Sequence, residues 1–299
     1  MSRRHLVLLL VGIAAISSSA VLVRVAADED APAFAIAFYR CAMAAAILVP
    51  LGLLRHRDEY RSLSPARWRL ALLSGVFLGA HFSTWIPSIT FTTVAASAVL
   101  VQTTPIWVAL MGRVIGERPT RRGMVGILIA LGGTVVIAGG GFQGGTRALF
   151  GDLLALAGAV LGAAYVLCGR SLRREISVVT YTGIVYTTAA ALLAVIMLVS
   201  GTPFFGYSSE VWALFAAMTL GPQLGGHTVF NYLLGSLSAT IVSIALLAEP
   251  VGATILAVLV LGERPGAATL VGGCIVLAGV FIAIRAEAER TPEMLETVE

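Results

Sequence analysis

Residues 102–119 read QTTPIWVALMGRVIGERP, and residues 247–265 read LAEPVGATILAVLVLGERP. In each stretch a proline (Pro105, Pro250) sits inside an apolar run, and a Gly-Glu-Arg-Pro turn closes it. The prolines are 250 − 105 = 145 residues apart and the closing prolines 265 − 119 = 146, about half of the 299 residues. Arg24 with Arg170, Tyr39 with Tyr186, Trp68 with Trp212 and His81 with His227 recur at nearly the same shift. The chain reads as two copies of one unit, and duplication inside a strongly apolar chain points first to a transporter.

Composition sets the solvent. A hydrophobic fraction of 58%, a charged fraction of 12% and a mean hydropathy of +0.92 lie far from a soluble domain, in which roughly a quarter of residues are charged. The apolar stretches are mostly near 20 residues, matching a hydrocarbon core of roughly 30 Å at about 1.5 Å per residue, so helices and not barrel strands are expected. The chain contains no lysine, which excludes a P-loop ATPase module. Its net charge of +4 comes from arginines scattered over short loops, a pattern of topology signals and not of nucleic-acid binding. Cys41, Cys168 and Cys274 lie in apolar segments without metal-ligand spacing, so no metal and no cofactor are expected. The N-terminal run can be read as a signal peptide or as a first membrane helix. Its length and its counterpart in the second half favour the helix.

The fold expected is all-α and integral to the membrane: about ten transmembrane helices as two inverted five-helix repeats. The helices fall at about 6–27, 33–54, 68–90, 95–115 and 123–141, then 151–169, 178–199, 211–234, 239–261 and 267–284. The divisions are 1–142, 143–285 and a tail, 286–299, with no fold signal. An odd number of crossings per copy inverts the second copy. Threaded this way, Arg3 and Arg4, Arg55 to Arg67, Arg118 to Arg122 and Arg170 to Arg174 share a face; Arg147 and Arg264 are the loop exceptions. The positive-inside rule then puts both termini in the cytoplasm.

The layout and the paired Pro and Gly-Glu-Arg-Pro stretches resemble the drug/metabolite transporter superfamily, in particular its ten-helix members with two EamA repeats. The stretch 75–93, with His81 and Trp85, is most similar to the bacterial aromatic amino acid exporters. That resemblance implies transport roles for His81, Thr103 and Tyr165. The exporters carry tryptophan at the last two places, where this chain departs from them.

Polar groups in hydrocarbon are costly unless they face a partner or a wet cavity, which makes them the candidates. Ser74, Leu78, His81, Trp85 and Ser88 share one face of the third helix. Thr219, Gln223, His227 and Asn231 recur at four-residue steps on the eighth. Two inverted stripes would face each other across a central cavity, although Trp85 also fits an interfacial belt and each histidine also fits a bond to a neighbouring helix. The substrate-binding set is therefore His81, Trp85, Thr103, Tyr165, His227, Asn231, Ser18 and Ser243. Pro105 and Pro250 bend their helices and are assigned to gating. Glu249, the carboxylate well inside an apolar helix, fits a coupling proton, a substrate ammonium or a packing role. Arg40 fits a substrate carboxylate, but snorkelling or pairing with an acid is the simpler reading.

The expected function is a secondary transporter exporting amino acids, aromatic or otherwise neutral, across the bacterial inner membrane by alternating access. Export of drugs or other metabolites is the alternative. The partners are the small-molecule substrate and lipid; a monomer suffices. An intramembrane enzyme is disfavoured, because neither histidine has a carboxylate or cysteine three or four residues away.

Overall fold

The structure, a computed structural model, describes residues 2–92, 94–138, 145–261 and 266–296. Among these residues it is helical throughout. The first half contains α1 (Arg3–Asp28), α2 (Ala33–Arg55), the short α3 (Arg57–Ser62), α4 (Pro65–Phe91), α5 (Val94–Val101), α6 (Thr104–Met111) and α7 (Arg121–Ala138). The second contains α8 (Thr146–Leu172), α9 (Val178–Ser200), α10 (Ser209–Met218), α11 (Thr228–Leu233), α12 (Ala239–Leu246), α13 (Glu249–Leu261) and α14 (Ala267–Glu296). Eight stretches are long and apolar enough to cross a membrane, which makes the chain a multi-pass membrane protein. Beside them stand α7 and the column from α10 through α11. The second Gly-Glu-Arg-Pro turn, 262–265, lies outside the described residues.

Helices begin where their sequences supply caps. Ser64, Ser177, Ser208 and Ser238 each accept a bond from the backbone N–H three residues on, the usual way an exposed first turn is satisfied. The tail does not unravel at residue 286; α14 continues to Glu296. Good helix formers and an Arg285–Glu289 pair at 3.0 Å, one turn apart, carry it on.

Packing respects an exchange of halves. α7 packs on α14 and α2 on α9, each pairing equivalent helices, while α4 against α8 mirrors the α10–α11 column against α1. The α7–α14 crossing is close because glycines meet. A Cβ on Gly126 would stand 2.7 Å from the Gly279 carbonyl and one on Gly279 2.7 Å from that of Gly126; Gly133 and Gly272 repeat this at 2.8 and 2.7 Å. Ascending positions on α7 meet descending positions on α14, so these two equivalent helices run antiparallel.

Arginines gather at one end. There His5 bonds Ser236 at 3.1 Å, Arg67 pairs with Glu175, and Ser177 N–H donates to Glu59 at 2.9 Å. Partial burial pushes the Glu59 carboxyl up, but bonds from Thr180 and Ser177 outweigh it and hold the group below the usual carboxylate range. At the other end Tyr39 stacks on Phe215 at 4.8 Å and meets Trp212 edge-on at 4.7 Å. Arg147, the expected exception, lies with that end and bonds the Thr90 carbonyl at 3.2 Å.

Candidate functional site

The two quoted stretches each fold as a broken helix. α5 ends at Val101 and α6 starts at Thr104; α12 ends at Leu246 and α13 starts at Glu249. Both gaps span two residues, and Pro105 and Pro250 each occupy the second position of the next helix. A proline there sacrifices no hydrogen bond, because the first helical N–H groups have no partner in the helix. The gaps are bridged alike by tighter i to i−3 bonds: Thr103 N–H donates to Leu100 O at 3.1 Å, and Ala248 N–H to Ala245 O at 3.1 Å. The expected bends are thus full breaks, just before each proline.

The breaks meet in the protein interior. Gln102 Nε2 donates to Glu249 Oε2 at 3.1 Å, joining one break to the other. The Ser17 hydroxyl on α1 donates to the Glu249 carbonyl at 3.1 Å. Around this junction lie two small cavity lobes that share His81, Thr104, His227 and Leu246. One, of about 60 Å³, is completed by Tyr165 and Asn231 among others. The other, of about 70 Å³, reaches Ser19, Trp85, Gln102 and Glu249. Each has room for about two waters at roughly 30 Å³ apiece, so neither lobe holds a whole amino acid in this state.

The histidines from the two halves define the centre. His81 shares a 2.8 Å hydrogen bond through Nδ1 with the Gly158 carbonyl of α8, and its ring stacks over Trp85 with centroids 6.0 Å apart. Glycines permit this approach: a Cβ on Gly162 would lie 3.1 Å from His81 Nδ1. His227 meets the edge of Phe82 at 5.4 Å and the Tyr165 ring at 6.3 Å. Asn231 donates to the Tyr165 hydroxyl. Trp85 is 8% exposed and faces the lobe holding Glu249, which removes the interfacial-belt reading.

His81, Trp85, Tyr165, His227, Asn231 and Glu249 come together around the lobes. Thr103, Ser18 and Ser243 are not among the lining residues. Their hydroxyls each bond the carbonyl three residues back, of Leu100, Ala15 and Thr240, and the neighbours Thr104, Ser19 and Val242 face the cavity instead. The stripe at Thr219, Gln223, His227 and Asn231 is reshaped, because 219–227 forms a π-helix around Pro222. Proline removes a helical donor there and the wider turn absorbs the defect. Gln223 turns away from the lining residues to accept from Arg40 Nε at 2.8 Å. Arg40 does not snorkel and, among the described residues, pairs with no acid; it is 0% exposed and bonds Gln223 and Ser19. Ser19, Gln102 and Thr104 are the polar lining residues outside the set expected from the sequence.

On the arginine-rich face a vestibule of about 570 Å³ lies beyond the first lobe, lined by His5, Glu117, Arg118, Arg170, Arg174 and Ser238 among others. A bonded latch joins lining residues of the two, with Leu234 on the first lobe and Glu117, Arg170 and Thr240 on the vestibule. Arg170 Nε pairs with Glu117 at 2.9 Å, Arg170 Nη1 donates to Leu234 O at 2.8 Å, and the Thr240 N–H points at the other Glu117 oxygen, 3.5 Å away. Glu117 belongs to the first Gly-Glu-Arg-Pro turn, so that motif ties α8 to the end of α11 and the start of α12.

A protein of known crystal structure superposes on 97% of this chain and 100% of its own with a TM-score of 0.78, at 20% identity, a likeness of fold alone. A protein of Archaeoglobus fulgidus described as an uncharacterized transporter is 26% identical over 273 residues, 89% of this chain and 92% of its own. The EamA-like transporter family profile matches twice, over residues 4–139 and 149–285. With two matches that together span most of its length, this chain belongs to the EamA-like transporter family.

Proposed function

We propose that the protein is a secondary carrier exporting neutral amino acids, aromatic ones among them, from the cytoplasm across a bacterial inner membrane. Its two halves, 1–142 and 143–285, are inverted five-helix units, ten crossings in all, with both termini cytoplasmic. The antiparallel meeting of α7 and α14 supports the inversion, and the arginines gathered at the end that carries the N-terminus support the orientation.

One observation carries the transport site: the two proline breaks, one per half, meet at a cavity centred on the equivalent residues His81 and His227. Interrupted helices at a repeat interface are where carriers expose polar backbone to substrate. His81, Trp85, Tyr165, His227 and Asn231 line the substrate site, with Ser18, Thr103 and Ser243 beside it, and Glu249 is the coupling group. Alternating access arises at the latch. With Arg170 and Glu117 joined, the lobes are shut off from the vestibule; parting them, with a shift at the breaks, opens the site to the cytoplasm.

Counterflow in proteoliposomes tests this. Labelled phenylalanine, leucine or another neutral amino acid is expected to enter against excess internal unlabelled amino acid and to saturate. Stimulation by cationic drugs and not by amino acids assigns drug export instead, and non-saturating flux indicates a pore.

A further inference from the structure

Arg40 stands eight residues into the 23-residue α2 with none of its surface exposed. Nε donates to Gln223 Oε1 at 2.8 Å, Nη1 donates to Ser19 Oγ at 3.2 Å, and the guanidinium carbon lies 4.2 Å from the centre of the Phe82 ring. Among the described residues Arg40 forms no ion pair. Two buried donors there lack a hydrogen-bond partner: Nη2 of Arg40 and Nε2 of Gln223. The orientation of the Gln223 amide is forced. Arginine has only donors, so the glutamine oxygen must face it and the amide nitrogen is left over.

The unmet groups share a chemistry. Both are N–H donors, one is cationic, and they come from different halves of the molecule. A buried donor without an acceptor is destabilising, and a buried cation without a counter-charge more so. Water could accept from these donors but would leave the charge; a planar two-oxygen anion accepts from them and brings a counter-charge. The guanidinium also sits one side chain behind the cavity wall. Ser19, which it bonds, lines the lobe that holds Glu249, and Phe82, over which it lies, touches His227.

We propose that Arg40 and Gln223 form the carboxylate-binding end of the transport site, reached through the lobe at Ser19, with Glu249 across that lobe taking the positive end of the same substrate. The proposal rests on the reading of this cavity as the transport site. It makes the substrate class a small zwitterion, bridged between a cation of the first half and a carboxylate of the second. Ser19 is the movable element, because a change of its rotamer exchanges its bond to Arg40 for one from the substrate.

Thermal unfolding of the purified protein in detergent tests the subsite with the smallest probes. Acetate is expected to raise the melting midpoint saturably, while the isosteric neutral acetamide and equal chloride do not. Arg40→Gln should weaken the apparent acetate affinity at least tenfold. If that variant gives no cooperative melt, Gln223→Glu keeps an oxygen for Arg40 Nε, replaces the orphan donor by an acceptor and supplies the counter-charge internally, and should weaken the apparent acetate affinity at least tenfold. The proposal is overturned if acetate gives no saturable shift, if acetamide or chloride matches it, or if folded Arg40→Gln or Gln223→Glu retains the wild-type affinity. Acetate binding that depends on Arg40, in a protein that shows no amino acid counterflow, would sink the export reading and leave the subsite standing.

Discussion

The breaks at Gln102–Thr103 and Leu247–Ala248 share a backbone and differ in chemistry. Each spans two residues, is bridged by i to i−3 bonds and precedes a proline at the second position of the next helix. The side chains differ: the first break presents Gln102 and Thr104, both neutral, and the second presents Glu249. The shift of 145 residues that superposes the prolines sets Thr104 against Glu249. Duplication thus supplied the proline break twice, and only the second break carries a carboxylate at this position. The Gln102–Glu249 bond joins the two, with the neutral break as the donor to the carboxylate of the other.

That comparison can be broken in graded steps. The largest effect is expected from Glu249→Gln, which should reduce accumulation driven by a pH gradient at least tenfold and, because Glu249 also takes the substrate's positive end, leave gradient-free counterflow measurable only at raised substrate concentration; Thr104→Val should change both by less than about threefold. If Glu249→Gln still responds to a pH gradient, the charged break has no coupling role. Next is Gln102→Leu, which leaves the carboxylate short of a donor. Orphaning a buried polar group costs about 1–3 kcal/mol, so loss of transport of about five- to tenfold is expected, with the protein still monodisperse on size exclusion. Pro105→Ala and Pro250→Ala should then change turnover by similar factors of about two to five without lowering the melting midpoint, because the proline nitrogens forgo no bond. Strongly unequal effects would show that the two hinges are not equivalent.

The smallest effect lies away from the breaks, at the arginine-rich end. The Glu59 carboxyl is held below its ordinary value by bonds to the first turn of α9. Its contribution is therefore full above the ordinary carboxylate pKa and is lost as pH falls through the lowered folded value. Wild-type stability should fall slightly faster than that of Glu59→Gln between about pH 5 and 3, as read by melting midpoints.

Much of this is legible in the sequence. The duplication, the proline positions and the paired histidines are periodicities, and period survives whatever the local backbone does. Phase does not. The breaks before Pro105 and Pro250 and the π-helix at 219–227 each rotate the residues beyond them, so Thr104 faces the cavity where Thr103 is expected, and Gln223 faces Arg40. Arg40 escapes a sequence reading for another reason. An arginine well inside a helix normally snorkels or pairs, and whether it has neither option depends on neighbours from a distant segment, here Gln223 in the π-helix at 219–227. Gln102 is hidden in the same way, since its partner lies 147 residues along the chain.

Whether the halves are inverted around one shared cavity is most directly measured by placing single cysteines at Arg121 and Ala267. These are the exposed first residues of the equivalent helices α7 and α14, introduced into a chain whose Cys41, Cys168 and Cys274 are replaced. With a membrane-impermeant maleimide, Arg121→Cys should label only from the cytoplasmic side and Ala267→Cys only from the opposite side. Labelling of both from one side would contradict the account.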